Sequence, residues 1–457
     1  MVQRYPAHQN GAFVVQNGAL VPQAALDTGV QAGGDGTGVG SPSFESNINS
    51  TLYAVDDLGM DPDGNEAINS KFKNAVSDNT EIIFEPGTYR YDPTNNGKGM
   101  VFLGLQNFAV KGNGSTRDDV RIKHTDGTSG RLWNFGGSCH NIWWANFVID
   151  ESPSGNYTEL NYTSDGYLYA YNIAHRGGAA DELNNGSPGD PYGNGSQISF
   201  SMDSTGKVDL INYESIDPPE RLVDYPHNTQ CLFAGYGNQG PINLTNARIE
   251  YKGEHAAYMS RSRGEVHVDG GRFVNNANTN MRIAGQGTYI HDATIGLTRS
   301  NASLQQENGD TKSIRGLRVE ANKEELGGKT YGEAKNVDFV KTETYDNSSM
   351  LIEINGTHGR FDLRNCRLLD DSQDAMPIID VEAIGSDGSV TPPEPHDCLF
   401  ENCSFTGDGT APAVDSNRSS APVKIQDCCI DMPNSSGFQG YYNESGTTYS
   451  ACDVAEL

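Results

Sequence analysis

The sequence predicts an all-β chain folded as a right-handed, single-stranded parallel β-helix with a short capping helix near its N-terminal end. Three observations lead there: a short apolar segment recurs along the chain, it alternates with period two, and each copy opens on Asn, Asp or Gly.

The recurrence begins at Asn107-Phe108-Ala109-Val110 and Asn146-Phe147-Val148-Ile149. It continues at Asn246-Ala247-Arg248-Ile249, Gly270-Gly271-Arg272-Phe273, Asp292-Ala293-Thr294-Ile295 and Gly316-Leu317-Arg318-Val319. Asn336-Val337-Asp338-Phe339, Asn365-Cys366-Arg367-Leu368, Asn402-Cys403-Ser404-Phe405 and Asp427-Cys428-Cys429-Ile430 complete it. From Ile249 on, the final residues are separated by 24, 22, 24, 20, 29, 37 and 25 positions. A base period with insertions marks a solenoid whose surface loops interrupt some coils. Segments such as Val266-His267-Val268 and Met350-Leu351-Ile352-Glu353-Ile354 are rich in β-formers, and neither leucine-rich nor helical-repeat patterns occur. A polar residue at one corner of every coil is explained if Asn and Asp stack along the axis. Ile249, Phe273, Ile295, Val319 and Phe339 are expected to form one inner column.

Composition excludes several functions. Of 457 residues, 32 are basic and 60 acidic, for a net charge of −28. Such a surface disfavours nonspecific phosphate-backbone binding, so no nucleic-acid partner is expected. No apolar run reaches the ~18 residues of a membrane-spanning helix, so no membrane insertion is expected. Only 13 of the basic residues are Lys, and carboxylate repulsion is screened over ~3 Å at 1 M salt, so a halophilic setting is expected. Residues 1–8 show neither an apolar export core nor a twin-arginine pair, so no export signal is expected. Eight cysteines are present without C-x-x-C spacing; six follow residue 360, which permits a stapled C-terminal end, although most read as small buried residues.

Residues 52–125 hold a further set of motifs. Asp57-Leu58-Gly59 leads to Asp61-Pro62-Asp63-Gly64-Asn65-Glu66, and a helix is predicted over Ala67–Val76 with Ile68, Phe72, Ala75 and Val76 on one face. Ile82-Ile83-Phe84-Glu85-Pro86-Gly87-Thr88-Tyr89 reads as a strand, and Val110-Lys111-Gly112-Asn113-Gly114 as a turn. This order resembles the N-terminal module of the pectate-lyase-like β-helix superfamily, especially its tailspike-type members. The resemblance implies a helix that blocks the open strand edge. It also implies a homotrimer. It implies no single chemistry, because the superfamily includes lyases, hydrolases, epimerases and binding-only spikes. Asp61 to Glu66 superficially suggest a Ca²⁺ loop, but Phe72 stands where the twelfth-position Glu is needed, so they are read as capping the helix. No cofactor and no metal centre are expected, a structural Ca²⁺ or Mg²⁺ apart.

The organisation read from this is an N-terminal arm at 1–50, disordered or docking on a virion, and a cap with the first coils at 51–125. The β-helix proper covers 126–435, with loops projecting at about 150–230, and a tail covers 436–457. Outward polar groups on the coils are the candidate chemistry. Glu353, Asp380 and Glu382 lie in similar segments on nearby coils, and coils stack ~4.8 Å apart, close to the ~5–5.5 Å of a retaining glycosidase pair. With 60 acidic residues, neighbouring carboxylates also arise by chance. Glu254, His255, Tyr258, Arg261 and Arg282 form a mixed-charge patch suited to an acidic sugar, though a turn entering a strand gives the same pattern. Trp133, Tyr167, Tyr169 and Tyr171 are candidate sugar-stacking rings.

Three functions compete. The first is a virion-surface spike or fibre protein, of a tailed virus with a haloarchaeal host, that binds a host glycan or glycoprotein, with or without depolymerase activity. It docks to other virion proteins through the arm. The second is a secreted polysaccharide lyase or glycoside hydrolase of a halophile. The third is a structural surface or adhesin protein. The first accounts best for an extracellular type of fold without an export signal.

Overall fold

The computed structural model describes residues 42–449 and Cys452 together with two short paired strands, Phe13–Gln16 and Ala19–Pro22. Within that span 93–98, 126–128, 152–156, 177–195, 217–229, 253–254, 277, 285, 299–313, 322–328, 344–348 and 387–390 lie outside the described residues. The predicted arm falls largely outside them as well.

The chain is a right-handed parallel β-helix with three faces. The first face runs from Ser50–Tyr53 to Tyr442–Ser445, and the second from Gly87–Tyr91 to Cys429–Asp431. The third is a twelve-stranded sheet from Met100–Leu103 to Phe438–Gly440. One coil illustrates the path: Ile242–Thr245 on the first face, Arg248–Glu250 on the second, His255–Tyr258 on the third, then Val266–Asp269 stacked on Ile242–Thr245. Within the predicted loop region, Tyr157–Ser164, Tyr167–Arg176, Ser196–Phe200 and Lys207–Ile211 pair in register with the shaft. Phe438–Gly440 and Tyr442–Ser445 carry the stacking into the predicted tail.

The bend between the first and second faces comes from a backbone requirement. Asn212, Asn246, Asp292, Asn336, Asn365, Asn402 and Asp427 all have φ between 51° and 56°. Asn and Asp tolerate this left-handed conformation because their short side chains hydrogen-bond locally. Stacking follows: Asn336 Nδ2 donates to Asp292 Oδ1 at 3.0 Å, and Asn365 Nδ2 to Asn336 Oδ1 at 3.3 Å. Gly270 fills the same corner at φ 72°, and an added Cβ would lie 2.5 Å from the Asn246 side-chain oxygen. A second, shorter ladder joins Asn79, Asn107 and Asn141 at 2.7 and 2.8 Å. The expected single corner is therefore two corners, and Asn107 belongs to the shorter one.

The inner column holds with one correction. Ile249, Phe273, Ile295, Phe339, Leu368, Phe405 and Ile430 stack in register and are buried. Val319 is buried too, but it pairs with Ile283 and Ile354 on the third face. Ile295 and Phe339 are thus neighbours across one long coil, since Gly316-Leu317-Arg318-Val319 supplies a different side of the triangle.

The capping helix, α1, spans Asn69–Ala75, shorter than predicted. Phe72 packs at 5.3 Å, stacked, against Trp133 and at 6.0–6.4 Å against Phe84, Phe102 and Phe108. Ile68 is buried with it, and Ala75 and Val76 lie half-buried against the core. The Asp61 carboxylate accepts the N–H groups of Asp63, Asn65 and Glu66 at 3.0, 2.6 and 2.9 Å. Those bonds, chiefly the Asp63 one, hold its pKa below the usual value. It therefore closes the turn before α1; the helix itself has no side-chain cap.

At the far end Cys429 and Cys452 form a disulfide that ties the last described residue to the final coil. Cys366, Cys403 and Cys428 follow the corner residues of successive coils, point inward and are buried.

Candidate functional site

The third face positions a line of outward side chains. In each strand a residue sits between two that enter the core, as in Met281-Arg282-Ile283, Leu317-Arg318-Val319, Ile352-Glu353-Ile354 and Ile379-Asp380-Val381. Parallel in-register pairing aligns those central residues. Phe233, Tyr258, Arg282, Arg318, Glu353, Asp380 and Asp415 are consecutive partners on consecutive strands. Neighbours are ~4.8 Å apart along the axis. The column therefore passes from aromatic to cationic to anionic.

Its middle is a buried charge network. Glu353, 1% exposed, lies between the guanidiniums of Arg315 and Arg318, the latter at 2.9 Å. Arg318 also reaches Glu320 at 2.8 Å, and Glu320 holds Arg282 and accepts Ser260 Oγ at 2.9 Å. Burial pushes Arg315 down to about 10, which still leaves it cationic at neutral pH. Removing one partner from such a network strands a charge, at a cost of ~3–5 kcal/mol.

The anionic end differs in kind. Glu382 accepts Asn355 Nδ2 at 2.9 Å, the Gly356 N–H at 3.1 Å and Ser386 Oγ at 3.0 Å, so its carboxylate closes a corner turn. That corner is held from inside by Arg418. Its guanidinium donates to the carbonyls of Glu382, Gly359, His396, Asn355 and His358 at 2.6–3.3 Å. Asp380 is half-buried, and its pKa is pushed up to about 6 by burial, then by the Glu382 and Asp415 charges, against the pull of Arg315. A carboxyl poised there has the balance a proton donor needs near neutral pH.

Of the residues singled out from sequence, Tyr258, Arg282, Glu353 and Asp380 meet in this column, with Arg261 and Glu382 beside it. Arg261 lies 4.8 Å from the Tyr258 ring and 5.6 Å from the Tyr236 ring. Glu353 is locked between arginines and Glu382 is spent on a turn, so the expected Glu353–Asp380 pair gives way to Asp380 and Asp415 as the neighbouring carboxylates. His255 is 1% exposed and packs 4.8 Å from Tyr258, beneath the surface. Trp133 is fully buried against Phe72 and Phe147 and presents no ring to a ligand. Tyr167, Tyr169 and Tyr171 lie on the first face instead. Tyr167 donates to Asp209 at 2.5 Å, and Tyr169 packs in a small cluster with Phe44 and Trp143. Glu254 lies outside the described residues.

Sequence reasoning missed Arg315, Arg318, Glu320 and Asp415. The signal was present in the apolar–charged–apolar triplets, which mark outward positions directly. Among the described residues no group of three or more His, Cys, Asp or Glu side chains is placed to hold a metal ion.

No protein-family model and no curated protein matches the sequence. Solved structures match in fold. The chain is similar to the A-module of the mannuronan C-5 epimerase AlgE6 of Azotobacter vinelandii at 12% identity and TM-score 0.43, over 88% of this chain and 100% of that one. It is also similar to PfbA, a surface adhesin of Streptococcus pneumoniae, at 9% identity and TM-score 0.47, over 88% and 93%. The N-terminal fragment of gene product 12 of bacteriophage Phi29 matches at 13% and 0.46, over 86% and 70%. At these identities the likeness is one of β-helix architecture, and the chemistry rests on the column itself.

Proposed function

We propose that the protein binds an extended surface glycan along the third face, with Asp380 as the proton donor to a glycosidic oxygen in the bound chain. The observation that carries this reading is the straight register of Tyr258, Arg282, Arg318, Glu353, Asp380 and Asp415, which matches a linear polymer better than a compact ligand. Guanidiniums and carboxylates are groups that sugars accept as partners, and the buried Tyr258 ring orients Arg261 and Arg282 from beneath. The Cys429–Cys452 disulfide fits an oxidising site of action, outside the cell or on a virion surface. The virion spike of a haloarchaeal virus, its docking through residues 1–50 and its homotrimeric state belong to the same proposal. Sedimentation of the whole chain tests the last of these.

A binding-only surface protein is the second reading, favoured by one observation: Glu353 and Glu382 are already committed to arginines and to a turn. Incubation with envelope polysaccharides separates the two. Turnover predicts shortened chains with new reducing or unsaturated ends, and Asp380→Asn is expected to lower the rate at least about 100-fold, the scale of lost general acid catalysis. Retained polymer binding without products establishes the binding-only protein, and an absence of binding removes both.

A further inference from the structure

The cationic end of the column gathers four guanidiniums, those of Arg261, Arg282, Arg315 and Arg318. Arg282, Arg315 and Arg318 have Glu320 and Glu353 as carboxylate partners within ion-pair distance. Arg261 has no such partner among the described residues. Its guanidinium lies over the rings of Tyr236 and Tyr258, and its Nε is buried without a hydrogen-bond acceptor. Arg282 lies over the same Tyr258 ring at 4.5 Å. A buried donor left unmade is costly, and a chain of net charge −28 has no shortage of carboxylates with which to pair it. The ring contacts fix the orientation of Arg261 without neutralising it.

We propose that Arg261, set by Tyr236 and Tyr258 with Arg282 beside it, is a subsite for an anionic substituent of the bound glycan: a carboxylate, sulfate or phosphate group. This rests on the glycan reading and narrows it. The subsite is remote from the proton donor. Tyr258 and Asp380 are four strand steps apart, ~19 Å at ~4.8 Å per step. That exceeds twice the ~8 Å screening length at physiological salt, so the carboxylates of Asp380, Glu382 and Asp415 do not cancel the attraction at Arg261. A single sugar cannot occupy both places. The ligand is therefore a charged chain of several residues, gripped by its substituent at one end and presented to Asp380 at the other.

The test uses the whole chain and calorimetric binding of three hexasaccharides: a polyuronate, its carboxyl-reduced neutral counterpart, and a sulfated form of the neutral one. The expected result is about tenfold tighter binding of at least one charged hexasaccharide than of the neutral one. Arg261→Gln abolishes that preference, Arg261→Lys restores part of it, and Asp380→Asn leaves it intact. Carboxylate and sulfate are told apart by which charged form gains. Unchanged neutral binding by Arg261→Gln shows that the variant is folded. Equal binding of charged and neutral forms, or a preference that survives Arg261→Gln, overturns the subsite and leaves the glycan reading standing. Failure of all three to bind overturns the subsite and counts against the glycan reading too.

Discussion

Asp380 is half-buried beside two other carboxylates, and the difficulty of ionising it there affects stability as well as chemistry. Its folded pKa of about 6 lies above the ordinary 3.8, so between those values the native state holds a proton that the unfolded chain has released. Stability contributed by that proton is present below about pH 4 and lost as pH rises through about 6. Asp380→Asn removes the titration. Its melting temperature is therefore expected to gain on that of the parent protein as pH goes from 4 to 7, and thermal unfolding at the two pH values checks this. A constant difference between the two proteins excludes the raised pKa. At this scale the sequence was partly legible. Glu353 and Asp380 could be selected because they fall in similar segments on nearby coils, and Tyr258 and Arg282 because they belong to one mixed-charge patch. The commitment of Glu353 to Arg315 and Arg318 could not, because those arginines approach only when strands 38 and 35 residues apart in sequence are stacked. Trp133 misled for the converse reason. An aromatic in a polar-flanked strand fits either face, and the docking of α1 decided its direction inward.

The element that controls the N-terminal end is α1. It is only seven residues long, too short to be stable alone, so packing holds it in place. Phe72 is the anchor, fully buried among four aromatic rings. Phe72→Ala is expected to cost ~3–5 kcal/mol and to unplug the first coils. Chemical denaturation measures the loss, and hydrogen exchange in Gln106–Gly112 should show early opening there. A loss below ~1 kcal/mol would mean that the cap is decorative. Elements were the most legible level of the sequence. The alternation gave strands and the Asn and Asp signals gave corners, since left-handed backbone admits few other residues. The misplacement of Val319 shows the limit. Gly316-Leu317-Arg318-Val319 has the same spelling as a second-face segment, and only the pairing of Leu317 with Met281 and Ile352 assigns it to the third face.

Over the whole molecule, charge opposes compaction. A net −28 spread along the chain repels itself, and that repulsion extends ~30 Å at 0.01 M salt but ~3 Å at 1 M. Attractive pairs act the other way. Arg117 and Asp118, in the turn before Val120–His124, meet Glu214 and Arg176 on the second face, and Arg367 meets Asp338. Surface pairs of this kind contribute ~0–1 kcal/mol each. Repulsion is therefore expected to dominate, and the melting temperature to rise between 0.01 M and 1 M potassium chloride. A fall would show that the local pairs prevail. The same arithmetic was visible in composition alone, whereas the placement of Arg261 over Tyr236 and Tyr258 was not, because it depends on which faces the coils turn outward.

The constant rise of the coils sets a limit on how such a shaft can change. Strand stacking fixes every increment along the axis at ~4.8 Å, so distances between recognition points vary only in whole steps. Gain or loss of one turn between Arg282 and Glu353 slides the proton donor by a single graduation relative to the guanidinium end, with neither group reoriented. Accommodation to a polymer of different repeat length then becomes a matter of counting turns, and a lineage of these shafts would differ by integers.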